Sequence, residues 1–327
     1  MGVGEATGQE HVLSFLDRLA GAPISWGVCE VPGWGLELPV LRVLSEMQDL
    51  GLAATELGSD GYLPVEPGEL RALCERYDLA MIGGFVPLVL HDPSQREQTL
   101  ASARRAAQLM GGAGGTEFVT AMVASPDWGP RVELGAAGWN HAATMLAEVE
   151  AIVAEFGMHQ AIHPHLGTMI ERPEDVKNVL ERSDVGWTFD MGHLLIGGYD
   201  PIEFLRDVRD RIVHVHLKDV HVDKAAPVFA GEQSIMQGVQ NGMFCNMGDG
   251  DVPIAEIVTE LEMSGYDRWY VLEQDAAITD GEPAPGEGPK IDVLRSIDYL
   301  RAVDDQLVRM MAGGAKLDQL THELENG

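Results

Sequence analysis

Cysteine is scarce in this sequence, and long hydrophobic runs are absent from it. The three cysteines, Cys29, Cys74 and Cys245, lie far apart and form no CxxC pair. Such a set does not build a disulfide framework and is typical of a reducing compartment. No stretch approaches the roughly 18 consecutive apolar residues of a membrane span, and the opening MGVGEATGQEHVLSF lacks the basic and apolar regions of a secretory signal. We therefore expect a cytoplasmic protein with no membrane partner.

Basic residues are scarce as well. Lysine and arginine together number 22 against 52 aspartates and glutamates, which gives a formal net charge of −30. A surface of this charge repels nucleic-acid phosphates, and the sequence has no basic patch that would offset the repulsion, so no nucleic-acid partner is expected. The glycine-rich loop of a dinucleotide-binding sheet is also missing after the first apolar segment. Small polar or neutral molecules remain as candidate substrates.

The sequence does contain a regular alternation of short apolar runs and longer amphipathic stretches. Hydrophobic residues make up 45% of the chain, enough to fill a large core. Eight strand-like runs follow one another along the chain, and each precedes a stretch with the apolar periodicity of a helix. This order predicts an α/β fold, a single-domain (β/α)8 TIM barrel. We expect the core at about 22–311 and a C-terminal tail at 312–327. The predicted strands span residues 22–28, 53–58, 79–88, 116–125, 159–165, 185–193, 211–220 and 268–275.

Polar and ionisable residues accumulate where the later predicted strands end. Because barrel enzymes build their active sites at the carboxyl ends of the strands, these residues are candidates for a functional site. His163 and His165 stand two apart at the end of the fifth strand, so they share a face of it. His214, His216 and Lys218 share a face of the seventh strand for the same reason.

Each candidate taken alone has a structural explanation. A single buried histidine is commonly hydrogen-bonded in a core, and a carboxylate at a strand end commonly caps the next helix. For Lys218, an ion pair with Asp219 or Glu273 is the alternative to a catalytic role. Asp190, His216 and Glu273, however, lie at the ends of three successive predicted strands. Clustered ionisable groups indicate function, and a mixed carboxylate and imidazole set suits Mn²⁺, Co²⁺, Zn²⁺ or Fe²⁺ rather than Ca²⁺.

Several motifs resemble one known superfamily. The segments TFDMGHLLIGGYDP, RIVHVHLKDV and GDGDVPIAEIV are together similar to the xylose-isomerase-like barrels, a superfamily of sugar isomerases, epimerases and dehydratases. The loop NGMFCNMGDG, together with APISWGV, TELG and HPHLGT, resembles the myo-inosose dehydratase branch of that superfamily. The resemblance extends from about residue 22 to residue 275.

The resemblance implies a set of metal ligands. In the superfamily, one divalent ion is held by Glu, Asp, His and Glu from strands five to eight, and Asp190, His216 and Glu273 match the last three. At the first position this chain reads His-Pro-His where related sequences often have a glutamate. His163 is therefore the candidate ligand there, with Glu171 as the alternative. The implied ion is Mn²⁺ or Co²⁺, and Zn²⁺, Fe²⁺ and Mg²⁺ are also compatible.

The resemblance also implies catalytic and substrate-binding roles. His165 matches the base that abstracts a proton from the substrate, and His193 matches a contact to a substrate hydroxyl. Lys218 and Glu56 match positions near the substrate. We therefore expect His193 and Lys218 to contribute to catalysis as well as to substrate binding.

Together these roles predict a metal-dependent hydro-lyase. Its substrate is a small polyol or keto-sugar, a cyclic polyhydroxy ketone of the inosose type. A neutral histidine with a pKa of about 6.5 suits removal of the α-proton to form an enediolate. Protonation of a departing β-hydroxyl completes a dehydration, whereas return of the proton elsewhere makes the same site a sugar or inosose isomerase or epimerase. A non-catalytic carbohydrate-binding or partner subunit is the third hypothesis, and assembly into a homo-oligomer remains open.

Overall fold

The computed structural model describes residues 14–29 and 31–325, with the backbone alone beyond Gly313, and its centre is a closed barrel of parallel strands. Every described strand except β8 and β9 belongs to this barrel, in which the strands follow chain order and β10 pairs with β1. The predicted single-domain (β/α)8 TIM barrel is therefore confirmed. The strands are β1 (Leu19–Gly21), β2 (Ala54–Glu56), β3 (Ala80–Leu88), β4 (Glu117–Met122), β5 (His159–Ile162), β6 (Gly186–Asp190), β7 (Ile212–Leu217), β8 (Asp219–Val220), β9 (Phe244–Cys245) and β10 (Tyr270–Leu272).

Helices surround the barrel and connect its strands. Proline begins α2, α5 and α7, where its fixed φ suits the first helical turn and no hydrogen bond is lost. Helix α3 ends before Gly114, whose left-handed backbone at φ 108° reverses the chain. The helices are α1 (Val40–Asp49), α2 (Pro67–Arg76), α3 (Arg96–Ala113), α4 (Ala136–Ala154), α5 (Pro173–Arg182), α6 (Met191–Ile196), α7 (Pro201–Val208), α8 (Val222–Phe229), α9 (Ile235–Gln240), α10 (Ile254–Met263) and α11 (Pro289–Glu325).

The barrel strand β7 has an apolar outer face, which packs in the large core, and an inner face that carries histidines. Val215 and Leu217 of β7 belong to the large core that also contains the apolar residues of the helices. Because alternate residues of a strand point to opposite faces, His214 and His216 lie on the inward face. A separate buried cluster, contributed mainly by β1, β2, β3 and β10, consists of Ala20, Ala22, Ala54, Ile82 and Val271.

The prediction of a first strand at 22–28 is wrong. Strand β1 lies just before this stretch, and residues from Pro23 to Trp26 form a short 3-10 helix. Pro23 has no N–H to donate to a strand ladder, but its φ fits the first turn of a helix. The stretch is nevertheless buried, and the Trp26 indole N–H donates to Glu46 Oε2 at 2.9 Å. A short buried apolar run therefore does not by itself identify a strand.

The fifth strand is shorter than predicted, which moves two candidate histidines off it. Strand β5 ends at Ile162. The His163 N–H still donates to Thr120 O of β4 at 2.9 Å, but Pro164 has no N–H with which to continue the ladder. His165 consequently lies in the turn that follows, where its N–H donates to a carbonyl within the same turn.

The sixth strand also ends earlier than predicted. Strand β6 ends at Asp190, and His193 lies in the first turn of α6 rather than on the strand. Asp190 Oδ1 accepts the His193 backbone N–H at 2.9 Å and so caps the helix. Close packing follows, because a Cβ atom at Gly192 would lie 2.8 Å from Lys218 Cγ. Glycine at this position lets α6 approach the end of β7.

The long stretch after β7 contains two helices and a small antiparallel sheet of two strands. It contains α8 and α9, and β9 pairs antiparallel with β8. Asp219 holds the end of this segment. Its two carboxylate oxygens accept four backbone N–H groups, those of Val220, Gly248, Gly250 and Val252.

The two chain ends differ in how far the structure describes them. Helix α11 continues to Glu325, past the predicted end of the core at 311, and its last buried side chain among the residues up to Gly313 is Leu307. The core and tail boundaries stay predictions. Residues 1–13, which include most of the segment without a secretory signal, lie outside the described residues. Within the described chain, none of the helices is both long enough and apolar enough to cross a membrane.

Candidate active site and metal centre

Four side chains converge at the carboxyl end of the barrel. His163 follows β5, Asp190 ends β6, His216 lies in β7, and Glu273 follows β10. One ligand atom from each residue lies within 4.8 Å of the others. The two histidines and Asp190 are fully buried, and the Glu273 side chain is 12% exposed. Parallel strands bring these residues together because all their carboxyl ends lie at one rim of the barrel.

The ligand atoms of these four residues lack hydrogen-bond partners. In residues 14–29 and 31–313, no group hydrogen-bonds His163 Nε2, Asp190 Oδ2, His216 Nδ1 or Glu273 Oε2. Asp190 Oδ2 lies 3.5 Å from His163 Nε2 and 3.6 Å from His216 Nδ1, too far for good hydrogen bonds. His216 Nδ1 and Glu273 Oε2 approach to 2.7 Å but are not aligned as donor and acceptor. Buried polar atoms are normally satisfied, so these four fit a bound cation.

The charges around this group also suit a cation. Burial by itself raises the pKa of Asp190, but His193 and Lys218 hold it well below its usual range. Burial acts in the same way on Glu273, whose pKa His216 and Lys218 lower to about 2. Although burial opposes it, the neighbouring carboxylates, Glu273 first, raise the pKa of His216. Both carboxylates are thus ionised, and a divalent ion would displace the His216 proton.

Glu171, the alternative first ligand, lies outside this group of four. Its Oε1 accepts the Gly167 N–H at 2.9 Å, and its Oε2 lies 3.6 Å from Arg131 Nη1. These contacts hold Glu171 within the turn after β5 and beside an arginine. The geometry therefore favours His163 as the fourth donor.

Replacement of His163 separates these two assignments. We expect His163→Ala to weaken Mn²⁺ or Co²⁺ binding by at least about 100-fold, because even an indirect partner of a metal ligand contributes about 10–100-fold. Glu171→Gln, the matched control, is expected to keep the affinity of the wild type. Calorimetric titration and metal analysis after gel filtration measure both. Full metal retention in His163→Ala would show that this assignment is wrong.

Glu56 lies behind His216 as seen from the four ligand atoms. Its Oε1 is 2.8 Å from His214 Nε2 and 3.1 Å from His216 Nε2, and all three side chains are buried. Burial alone would raise the pKa of Glu56, but His216 and the hydrogen bonds of both histidines hold it well below its usual range. A carboxylate on the far nitrogen of a metal-binding histidine fixes its orientation and tautomer. The sequence-based substrate contact of Glu56 stays a prediction.

His165 has one ring nitrogen engaged and the other available. Its Nδ1 lies 2.7 Å from the Leu166 carbonyl oxygen, so the ring proton is assigned to Nδ1. The ring centroid lies 5.3 Å from that of His163 and 3.9 Å from that of His193. Burial, together with the charges of His163 and Lys218, lowers the pKa of His165 to about 3. The half-buried ring is therefore neutral, with a lone pair on Nε2.

Lys218 is a fully buried cation within this site. Its Nζ donates to Asp275 Oδ1 at 2.6 Å and lies 3.2 Å from both His193 Nε2 and Glu273 Oε2. Burial lowers the pKa of a lysine, but the surrounding carboxylates, Asp275 first, outweigh it and raise the pKa. Burial and nearby carboxylates raise the pKa of Asp275 itself to about 6, although Lys218 opposes this. The sequence offered Asp219 or Glu273 as an ion-pair partner of Lys218. The structure contains the ion pair with Glu273, whereas the Asp219 carboxylate accepts backbone N–H groups.

His193 is an acceptor in this arrangement. Burial, together with electrostatic interactions with His165 and Lys218, lowers the pKa of His193 well below its ordinary value. The neutral ring then accepts the Lys218 ammonium at Nε2 and carries its proton on Nδ1. The 3.4 Å contact from the Leu166 N–H to Nδ1 requires the opposite tautomer and is the weaker of the two.

Aromatic rings enclose the histidines. Phe244 of β9 packs edge-on against His193, with ring centroids 5.5 Å apart. Phe85 of β3 lies 5.6 Å from the His165 ring and stacks on Trp128 at 5.9 Å. Trp128 has a positive φ of 55°, which is uncommon for a bulky residue and is held only where the surroundings fix it.

Two residues of the site were not among the sequence-based candidates. Asp275 lies two positions after Glu273, so the alternation that linked the residues of β7 carried a signal for it. Phe244 reaches the site because β9 pairs with β8. This pairing joins residues far apart along the chain and has no local sequence signal.

Known proteins that resemble this chain in sequence agree with the barrel fold described above. The chain matches the sequence family described as "Xylose isomerase-like TIM barrel" over residues 44–303. It is 34% identical to an inosose dehydratase from Geobacillus kaustophilus (strain HTA426), over 80% of this chain and 89% of that protein. It is 30% identical to a rhizopine catabolism protein from Rhizobium meliloti, over 81% of this chain and 84% of that protein.

Solved structures share the fold at low identity. A probable 3-DHS dehydratase of petrobactin synthesis from Bacillus anthracis superposes with a TM-score of 0.66 at 14% identity, covering 87% of this chain and 98% of that one. A D-tagatose 3-epimerase-like protein gives 0.65 at 17% identity, over 90% and 99%. These likenesses support the fold alone. Because the family match covers most of the chain, and the barrel and the buried His, Asp and Glu cluster agree with it, the chain belongs to the xylose isomerase-like TIM barrel family of sugar isomerases, epimerases and dehydratases.

Proposed function

We propose that this protein is a metal-dependent hydro-lyase that dehydrates a cyclic polyhydroxy ketone of the inosose class. The observation that carries the proposal is the group of four buried ligand atoms without hydrogen-bond partners, which has a neutral histidine on one side and a buried ammonium on another. Relatives named inosose dehydratase, at 27% to 34% identity, suggest the substrate class.

The metal site consists of four donors in this proposal. His163, Asp190, His216 and Glu273 would hold one divalent ion, with Mn²⁺ or Co²⁺ preferred because both accept mixed nitrogen and oxygen donors. The ion, when bound, polarises the substrate carbonyl and makes the neighbouring C–H more acidic. Glu56 fixes the orientation of His216 through its Nε2.

His165 removes the proton that starts the reaction. Its Nε2 takes the proton from the carbon next to the carbonyl, while Nδ1–H stays bound to the Leu166 carbonyl. The electron pair of the broken C–H bond forms a carbon–carbon double bond, and the carbonyl oxygen takes the negative charge of an enediolate. A ring that is neutral at ordinary pH is suited to this step because it begins without a proton on Nε2.

Lys218 supplies the proton for the departing hydroxyl group. The carbon–oxygen bond at the β-carbon breaks with its electron pair on oxygen, and the ammonium donates a proton to that oxygen, so water leaves. The enediolate oxygen regains its carbonyl bond, and a conjugated enol remains. Solvent then returns a proton to Lys218 and removes one from His165. His193 and Lys218 bind substrate hydroxyl groups in this proposal, whereas the substrate contact of Glu56 stays a prediction from the sequence because Glu56 lies behind His216.

Incubation of the protein with Mn²⁺ and an inosose tests the function. Loss of one water by mass, with growth of a conjugated enol absorbance, is the expected result. A product of unchanged mass would favour a sugar or inosose isomerase or epimerase, and no conversion by the metal-loaded protein would favour a non-catalytic carbohydrate-binding subunit. Chelation of the metal serves as the control and is expected to stop the conversion.

A further inference from the structure

Asp275 has one close partner in the site. The side chain is buried, and its Oδ1 accepts from Lys218 Nζ at 2.6 Å, the shortest contact of the ammonium. The same two atoms form an ion pair in which the Asp275 side chain is 5% exposed. Asp275 is not one of the four candidate metal donors. The carboxylate is therefore in a position to act on the site through Lys218.

The contacts of Lys218 explain why such a partner is needed. An ammonium has three N–H groups; one is taken by Asp275 and one by His193 Nε2 at 3.2 Å. The side that remains lies 3.2 Å from Glu273 Oε2 and 3.8 Å from Asp190 Oδ2. Both of these carboxylates are candidate metal ligands. Glu273 already forms an ion pair with the ammonium at 3.2 Å, so without the shorter contact to Asp275 the ammonium would move closer to both carboxylates and compete with the metal ion.

The surroundings of Lys218 leave its ammonium little freedom. The face of the Phe244 ring lies 4.6 Å from Nζ, which is a cation–π distance. The close approach of α6 at Gly192 confines the aliphatic part of the side chain. Asp275 consequently has the largest influence on where the ammonium lies within this enclosure, because its charge-assisted hydrogen bond is the shortest contact of the ammonium among the described residues.

We propose that Asp275 is a positioning residue, which keeps the Lys218 ammonium from approaching Glu273 and Asp190 more closely and so leaves its remaining N–H able to reach the departing hydroxyl group. This inference rests on the proposed dehydration. The proposed role of Asp275 separates the reaction into two halves, removal of the α-proton and departure of water. Removal of the α-proton depends on His165 and the metal donors, whereas departure of water also depends on the position of Lys218. Loss of Asp275 affects mainly the second half.

Asp275→Asn tests this division, because it keeps the shape and an acceptor oxygen but removes the charge. We expect kcat for dehydration to fall about 10–100-fold, and the exchange of the α-proton with solvent and KM to change by less than about threefold. Absorbance of the enol measures dehydration, and NMR of an α-deuterated inosose measures exchange. Metal content and melting temperature are recorded for every variant. Asp280→Asn, in the exposed part of the same loop, is the matched control.

Two further variants keep the test decisive. Asp275→Glu retains the charge, so it is expected to dehydrate faster than Asp275→Asn, and the reverse order would contradict the proposal. If Asp275 acts through Lys218, the double variant Lys218→Ala with Asp275→Ala is no slower than Lys218→Ala alone. A clearly slower double variant would show an independent role.

The remaining outcomes distinguish this inference from the proposed function. Dehydration by Asp275→Asn within twofold of an active wild type would overturn the positioning role and leave the proposed function intact. Equal losses of exchange and dehydration, with reduced metal content, would assign Asp275 to the metal site instead and overturn the inference. A metal-loaded wild type that dehydrates no inosose contradicts the proposed function, and the role of Asp275 with it.

Discussion

Asp190→Ala is expected to reduce dehydration by at least about 10³-fold, since a catalytic ion contributes several kcal/mol and each ~1.4 kcal/mol corresponds to tenfold in rate. Asp190 Oδ2 lies within 3.6 Å of a nitrogen of both His163 and His216, so its loss removes the carboxylate donor between the two histidines. The change also removes the cap of α6, at a cost of about 1 kcal/mol in stability. Steady-state rates, metal analysis and thermal unfolding measure the three effects.

Two control variants separate the carboxylate charge from the helix cap. Asp190→Asn retains an oxygen that can accept the His193 N–H, so it is expected to keep stability while losing metal and activity. Asp200→Asn is the matched control, because Asp200 caps α7 through the Ile202 N–H and belongs to no candidate donor group. It is expected to retain metal and activity. An active, metal-loaded Asp190→Ala would refute the assignment of this site.

His165→Ala is expected to reduce α-proton exchange by about 10²–10⁴-fold, the usual contribution of a general base. His165 is not one of the four donors, so metal content is expected to equal that of the wild type. Dehydration falls with exchange, because proton removal comes first. This pattern differs from that of Asp275→Asn, in which exchange continues while dehydration slows.

His159→Ala is the control for His165→Ala. His159 begins β5 at the opposite end of the same strand, and its side chain is exposed. It is expected to exchange and dehydrate at the rate of the wild type. If His165→Ala exchanged the α-proton at the wild-type rate with its metal in place, another group would be the base. His193 would then be the nearest candidate, since its ring centroid lies 3.9 Å from that of His165.

The order of the elements could be predicted because it depends on local patterns. Alternate apolar runs and amphipathic stretches fix strands and helices in succession, and parallel strands joined in this way close into a barrel. The polar residues of β7 were predicted on one face for the same reason, and His214 and His216 are indeed buried together beside Glu56. Strand ends were less predictable. The run from 22 to 28 is apolar and buried, yet Pro23 makes it a 3-10 helix.

The sequence by itself determined that this chain forms a barrel and that His163, Asp190, His216 and Glu273 come from its carboxyl rim, because both follow from periodicity and chain order. Only the tertiary structure decided which groups meet. Lys218 and Asp275 are 57 residues apart, yet their charged atoms are 2.6 Å apart. No local pattern encodes such a contact, because it depends on how strands align around the barrel and on burial that makes each buried charge require a partner.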